Sequence, residues 1–167
     1  MVKRVDEIAR EFTDGVGTVG LIENRPNSRN VIPGEVFFSV DFRHPEEKIL
    51  YAMETKLHAV LTEILRPLQL TYEATRTFTS PPVKFSPELV DCVRIAAKNA
   101  GFASRNMISG AGHDAAYIAR VAPATMIFVP CRGGISHNEA EATSFDECAA
   151  GAQVLLNAIL ECDRRLA

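Results

Sequence analysis

Glu35-Val36-Phe37-Phe38-Ser39-Val40-Asp41-Phe42-Arg43 sets Val36, Phe38, Val40 and Phe42 on one face and Phe37, Ser39, Asp41 and Arg43 on the other. Alternation with period two predicts a half-buried strand over 35–43, with a charged pair near its end. Downstream, Ile49, Leu50, Met53, Leu57, Val60, Leu61, Ile64 and Leu65 recur at helical spacing. They predict an amphipathic helix over 46–66, stopped at Pro67. Leu70, Tyr72, Ala74 and Arg76 alternate with polar residues and predict a further strand over 69–77. Upstream, Val2, Val5, Ile8 and Phe12 predict a short helix over 2–12, and the glycine-punctuated residues 16–23 a strand, with a loop over 24–34. The order helix, strand, strand, helix, strand is that of a β-α-β-β-α-β ferredoxin-like unit without its first strand.

Thr79-Ser80-Pro81-Pro82 resists helix and sheet and marks a boundary, dividing the chain into 1–80 and 81–167. Beyond it, Ser86-Pro87 reads as a cap followed by proline at the first helical position, opening a helix to about residue 100. A short strand over 104–108 is expected next, then a helix from Asp114 to Arg120. The continuous apolar run Ala124–Val129 predicts a strand covered on both faces. Ser144-Phe145-Asp146-Glu147 has the form of a capping box and starts a last helix to about Cys162. Alternation of helix and strand here suggests α/β layering on a parallel sheet.

A chain of 167 residues can build one good core or two small ones. Its net charge of −3 argues against a nucleic-acid partner and against an anionic membrane surface. No apolar run approaches the ~18 residues that span a bilayer, and Met1–Glu7 has no apolar core of a secretory signal. Cys92, Cys131, Cys148 and Cys162 show no C-x-x-C spacing, so free thiols and a cytoplasmic location are expected. Cys131, six residues before His137, is a conceivable nucleophile, but no oriented base accompanies it in the sequence.

Three polar clusters are candidates for chemistry. In the first, Pro26–Gly34 with Asp41-Phe42-Arg43, an amide and a guanidinium fork together suit a carboxylate. Equally, Asn30 stabilises a turn and Arg43 pairs with Asp41 or Glu23. In the second, Ser109-Gly110-Ala111-Gly112-His113-Asp114, glycines before a helix start let backbone approach a ligand, or simply make a turn with Asp114 serving the helix dipole. The third is Gly133-Gly134-Ile135-Ser136-His137-Asn138-Glu139-Ala140-Glu141, a glycine-opened loop directly after an apolar strand, where ligands of open α/β sheets collect. His137 with Glu139 and Glu141 resembles a fragment of a metal shell, but alternate residues on a strand or loop rarely all reach one ion. Zinc sites need three or four protein ligands, and the remaining histidines, His44, His58 and His113, do not complete one in the sequence.

Taken in order, Asn27–Gly34 with Asp41-Phe42-Arg43, Ser109–Ala115, Met126–Pro130 and Gly134-Ile135-Ser136-His137 resemble the amidase, hydantoinase/carbamoylase family of the M20 metallopeptidase type. That family includes N-carbamoyl-L-amino-acid hydrolases, β-ureidopropionases and allantoate amidohydrolases. The resemblance spans nearly the whole chain. It implies a partial ferredoxin-like α+β lid, used in dimerisation, over 1–80, followed by the C-terminal α/β part of a zinc-peptidase-like catalytic domain over 81–167. It further implies that His137 is a ligand of a divalent metal, zinc or manganese, and that Asn30, Arg43 and Gly134 bind a small substrate carrying a carboxylate. His113 and Asp114 match a segment beside the active site.

The family's other metal ligands, its glutamate base and a lid histidine match nothing in this chain. The resemblance therefore implies a C-terminal portion, inactive alone, that forms a homodimer or joins a complementing N-terminal half. A binding or dimerisation module derived from such an enzyme is the alternative. The absent first strand would lie between strands 35–43 and 69–77, leaving two edges for a second copy or a rearranged segment to fill.

Overall fold

In the computed structural model, which describes residues 1–166, the chain divides into two compact units, Met1–Pro82 and Val83–Ala167. The first is built on two helices and an antiparallel ribbon. Helix α1 (Val2–Arg10) and helix α2 (Glu47–Leu65) form where the apolar spacing predicts. Ile8 and Ala9 of α1 meet Met53 and Val60 of α2, with Phe12, Phe42, Ile49, Leu50, Leu57 and Ile64 packed around them. Met53 is fully buried, as are Val5 and Ile8 to within 1%.

The ribbon comprises β1 (Val16–Thr18), β2 (Ile22–Arg25), β3 (Glu35–Phe38) and β4 (Asp41–Arg43). β1 pairs with β4 in the register Val16↔Arg43, and β2 with β3 in the register Ile22↔Phe38. Residues 19–21 on one side therefore stand opposite only Ser39 and Val40 on the other, a bulge that breaks both expected strands in two. Ser39 bridges the break: its N–H donates to Leu21 O (3.0 Å) and its hydroxyl accepts from Leu21 N (3.1 Å). Gly17 permits the close approach of the ribbon to α1, since a Cβ there would stand 2.7 Å from Val5 O and 2.9 Å from Ala9 Cβ.

The strand expected at 69–77 does not form. A strand exists only through its ladder partners, and β1 to β4 pair among themselves. The segment is held along α2 by side chains instead: the Tyr72 hydroxyl bonds the His58 ring (3.2 Å), and Arg76 forms an ion pair with Glu54. The ferredoxin-like order is thus present only as two helices and a bulged ribbon.

The second unit rests on α3 (Pro87–Asn99) and α5 (Phe145–Leu166), with the short α4 (Asp114–Ile118) between them in sequence. Ser86 caps α3 by accepting from Leu89 N (3.4 Å), and Ser144 accepts from Glu147 N (3.2 Å) at the start of α5. Small residues Ala96, Ala97 and Ala158, with Val154, form the seam between the two long helices. Cys92, one turn before Ala96, meets Cys162, one turn after Ala158, so the helices run antiparallel.

The strands expected at 104–108 and 124–129 are extended segments without ladder bonds, and the described residues of this unit contain no sheet. The burial that their apolar pattern encodes is nonetheless partly met. Ile127 packs on the α3–α5 seam, and Val129 lies against Gly151, where a Cβ would be 2.6 Å from its Cγ1. Ser86 N donates to Ala124 O (3.0 Å) and ties the run to the start of α3.

Candidate functional site

The first unit carries Asn30 and Arg43 on separate elements. Asn30 lies in the nine-residue loop between β2 and β3, which Gly34 N closes by donating to Arg25 O (2.8 Å). Its side-chain oxygen accepts from the Ser28 hydroxyl (2.9 Å), and the residue is exposed. Arg43 ends β4 and is bound to Asp41 two residues back, Nε to Oδ2 at 3.0 Å. Hydrogen bonds donated to Asp41, then the Asp41 charge, raise the Arg43 pKa above its ordinary value. The local pairings open to the sequence, a turn at Asn30 and an Arg43–Asp41 pair, are both made. The Arg43 side chain is half-exposed at 51%.

In the second unit, the loop after the apolar run is closed on itself. Arg132 N donates to Ala142 O (2.7 Å), Gly134 N to Cys131 O (3.0 Å), and Glu141 N to Asn138 O (2.9 Å). Gly133 and Gly134 have φ of +65° and +69°, the left-handed region that a Cβ disfavours, and nothing crowds Gly134 within 4 Å. His137 also stands at φ +56°, uncommon for a residue with a side chain. Glu141 holds it there by accepting from His137 N (2.9 Å). The same carboxylate accepts from the Cys131 thiol (3.7 Å). Glu141 is therefore a tie within the loop. That role lay outside the reach of sequence spacing, because it depends on the loop folding back over four residues.

The Cys131 thiol is pushed up from its ordinary pKa, first by burial and then by the Glu141 charge. A raised thiol pKa lowers the thiolate fraction on which nucleophilicity depends. On His137, which is exposed, Nδ1 bonds the Ser136 hydroxyl (3.2 Å).

His113 stands at the residue before α4, without a side-chain capping bond, and Asp114 opens the first turn, exposed. The His113 ring leans on Phe128 of the apolar run, centroids 5.4 Å apart at 60°. Its Nε2 lies 2.7 Å from the Ser109 hydroxyl. Ser109 is in the motif quoted from the sequence but carries no role there; only the turn through Gly110 and Gly112 brings it back to the ring. A depression in the first unit, about 470 Å³ between Thr62, Leu65, Arg66, Leu70 and Tyr72, contains none of these residues.

No three His, Cys, Asp or Glu side chains converge on a point among the described residues. No helix among the described residues is long and apolar enough to cross a membrane.

The fold is similar to that of solved hydantoinase/carbamoylase-family amidases. A solved structure of an amidase of that family from Burkholderia multivorans matches with a TM-score of 0.91 at 46% identity, over 95% of this chain and 39% of that one. The chain belongs to peptidase family M20/M25/M40, matched over residues 4–161. It is 45% identical to an N-carbamoyl-L-amino-acid amidohydrolase of Rhizobium meliloti, over 96% of this chain and 39% of that protein. It is 36% identical to an allantoate amidohydrolase of Bacillus subtilis (strain 168), over 93% of this chain and 37% of that one. The chain spans about 39% of the length of the first of these relatives.

Proposed function

We propose that this chain is the C-terminal portion of a divalent-metal-dependent amidohydrolase that cleaves linear amide or ureido C–N bonds, those of N-carbamoyl-L-amino acids or allantoate. The observation that supports this most is the closed loop that presents His137 at φ +56° on paired glycines, in a chain 45% identical to an N-carbamoyl-L-amino-acid amidohydrolase. In this reading Arg43 and Asn30 hold the substrate carboxylate, with Gly134 lining the site and His113 and Asp114 beside the scissile group. His137 gives one ligand to a zinc or manganese centre whose other ligands come from outside these residues. The working protein is cytoplasmic and is a homodimer or an assembly with a complementing N-terminal half; this chain alone is inactive.

A non-catalytic binding or dimerisation module is the second reading, favoured by the lack of any three-ligand cluster among the described residues. Mixing this chain with the N-terminal portion of a relative, adding Mn²⁺ or Zn²⁺, and measuring ammonia from N-carbamoyl-L-amino acids and allantoate separates the two. Ammonia release that is lost in His137→Ala supports the enzyme. No release and no metal retained by the mixture supports the module.

A further inference from the structure

Ser109 has a hydroxyl placed between two partners. The Ala111 amide N–H donates to its Oγ (3.3 Å), and the oxygen lies 2.7 Å from His113 Nε2. Both contacts are partly buried. A hydroxyl has one hydrogen and two lone pairs. The amide occupies one lone pair, which leaves the hydroxyl's own hydrogen, or its second lone pair, to face Nε2. A neutral imidazole that accepts at Nε2 carries its proton on Nδ1. Nδ1 has no hydrogen-bond partner among the described residues. Phe128 supports the ring face, and the backbone of His113 is fixed by its place at the head of α4, where Ala116 N donates to its carbonyl (2.9 Å). The ring is thus held at one nitrogen, at one face and at its backbone, with the other nitrogen open.

We infer that Ser109 is a positioning residue that holds neutral His113 as an Nδ1–H donor, aimed for the carbonyl oxygen of an amide or ureido substrate. The inference rests on the amidohydrolase reading for its substrate, though not for its geometry. An amide oxygen gathers negative charge as its carbon is attacked, and a preset N–H donor stabilises that charge while a lone pair would repel it. The wrong tautomer would present that lone pair. Glycines at 110 and 112 allow the turn that brings Ser109 back to the ring four residues on.

The test reads the tautomer directly, on the intact chain labelled with ¹⁵N, by long-range ¹H–¹⁵N correlation of the imidazoles at about pH 8, where an ordinary histidine is neutral. The expected result is a protonated Nδ1 and an unprotonated Nε2 on His113, lost in Ser109→Ala and kept in Ser109→Thr. An Nε2–H ring in the unaltered chain, or an unchanged pattern in Ser109→Ala, overturns the inference whether or not any activity is found. In the complemented enzyme, Ser109→Ala is expected to lower kcat by about tenfold with KM little changed and to alter the pH profile, while Ser109→Thr restores both. Equal kcat values for Ser109→Ala and the parent overturn the catalytic half. Full activity of His113→Ala would instead refute the place given to His113 in the proposed function, with the tautomer spectrum still deciding on Ser109.

Discussion

Replacing Glu141 by alanine tests how His137 is held. The left-handed region costs a residue with a Cβ about 1–2 kcal/mol, and His137 stands there at φ +56°. The opposing force is the bond from His137 N to the Glu141 carboxylate at 2.9 Å. Hydrogen bonds to charged groups contribute about 1.5–3 kcal/mol, and an exposed one belongs at the lower end. The two quantities nearly balance, so removing the carboxylate tips the residue toward extended backbone by about 1.5 kcal/mol. That is about tenfold in population. Amide hydrogen exchange followed by NMR should show protection of His137 N–H falling by about that factor, with its backbone coupling moving to the extended range. Glu141→Gln retains a neutral acceptor and should lie between. If His137 serves as a ligand only from the held conformation, apparent metal affinity of the assembled protein falls by the same fraction. Unchanged exchange and coupling at His137 in Glu141→Ala would refute the reasoning, since some other contact would then fix the loop.

Met53→Ala removes a side chain with no exposed surface from the α1–α2 core and should cost about 2–5 kcal/mol, lowering the Tm of the first unit by roughly 10 °C or more in calorimetry. Gly17→Ala puts a Cβ 2.7 Å from Val5 O, a backbone atom that cannot swing aside, and should cost about 1–3 kcal/mol in urea unfolding with little change in m. Burial, then the bond to Cys92, pushes the Cys162 thiol up to about 11. Iodoacetamide should therefore modify exposed Cys148 well before Cys162 at pH 8, and unfolding should abolish the difference. The unfolded thiol ionises near 8.5 while the folded one stays protonated, so the unfolded state binds fewer protons in between. Stability of the second unit is then level below about pH 8 and falls as pH rises toward 11, a slope that Cys162→Ser should reduce.

The helices were legible because each carries its own signal. Ser86 before Pro87 and Ser144 before Glu147 cap α3 and α5 through local bonds, and the spacing of Ile49 to Leu65 marks α2 within a residue or two. Strands were less so. The alternation at 35–43 was real, yet its division into β3 and β4 depended on the partner strand carrying one residue more at Val19–Leu21. At 69–77 and 124–129 the right composition met no ladder partner, and the segments remained extended, one along α2 and the other against the α3–α5 seam. The same limit applied at the site. His113, Asp114 and His137 were visible as residue types beside glycines, whereas Ser109 beside the His113 ring and Glu141 under His137 N were not.

The sequence alone determined the long helices, the Ser86 and Ser144 caps, the break near Pro81-Pro82, and the residues that place the chain in peptidase family M20/M25/M40. All of these rest on interactions within a few residues or on side-chain identity. The tertiary structure decided which apolar segments become strands, which acid ties the His137 loop, and which hydroxyl orients His113. Each of those needs a partner brought from elsewhere in the chain or round a turn, and hydrogen bonds act only at about 3 Å, so no spacing along the sequence can specify them.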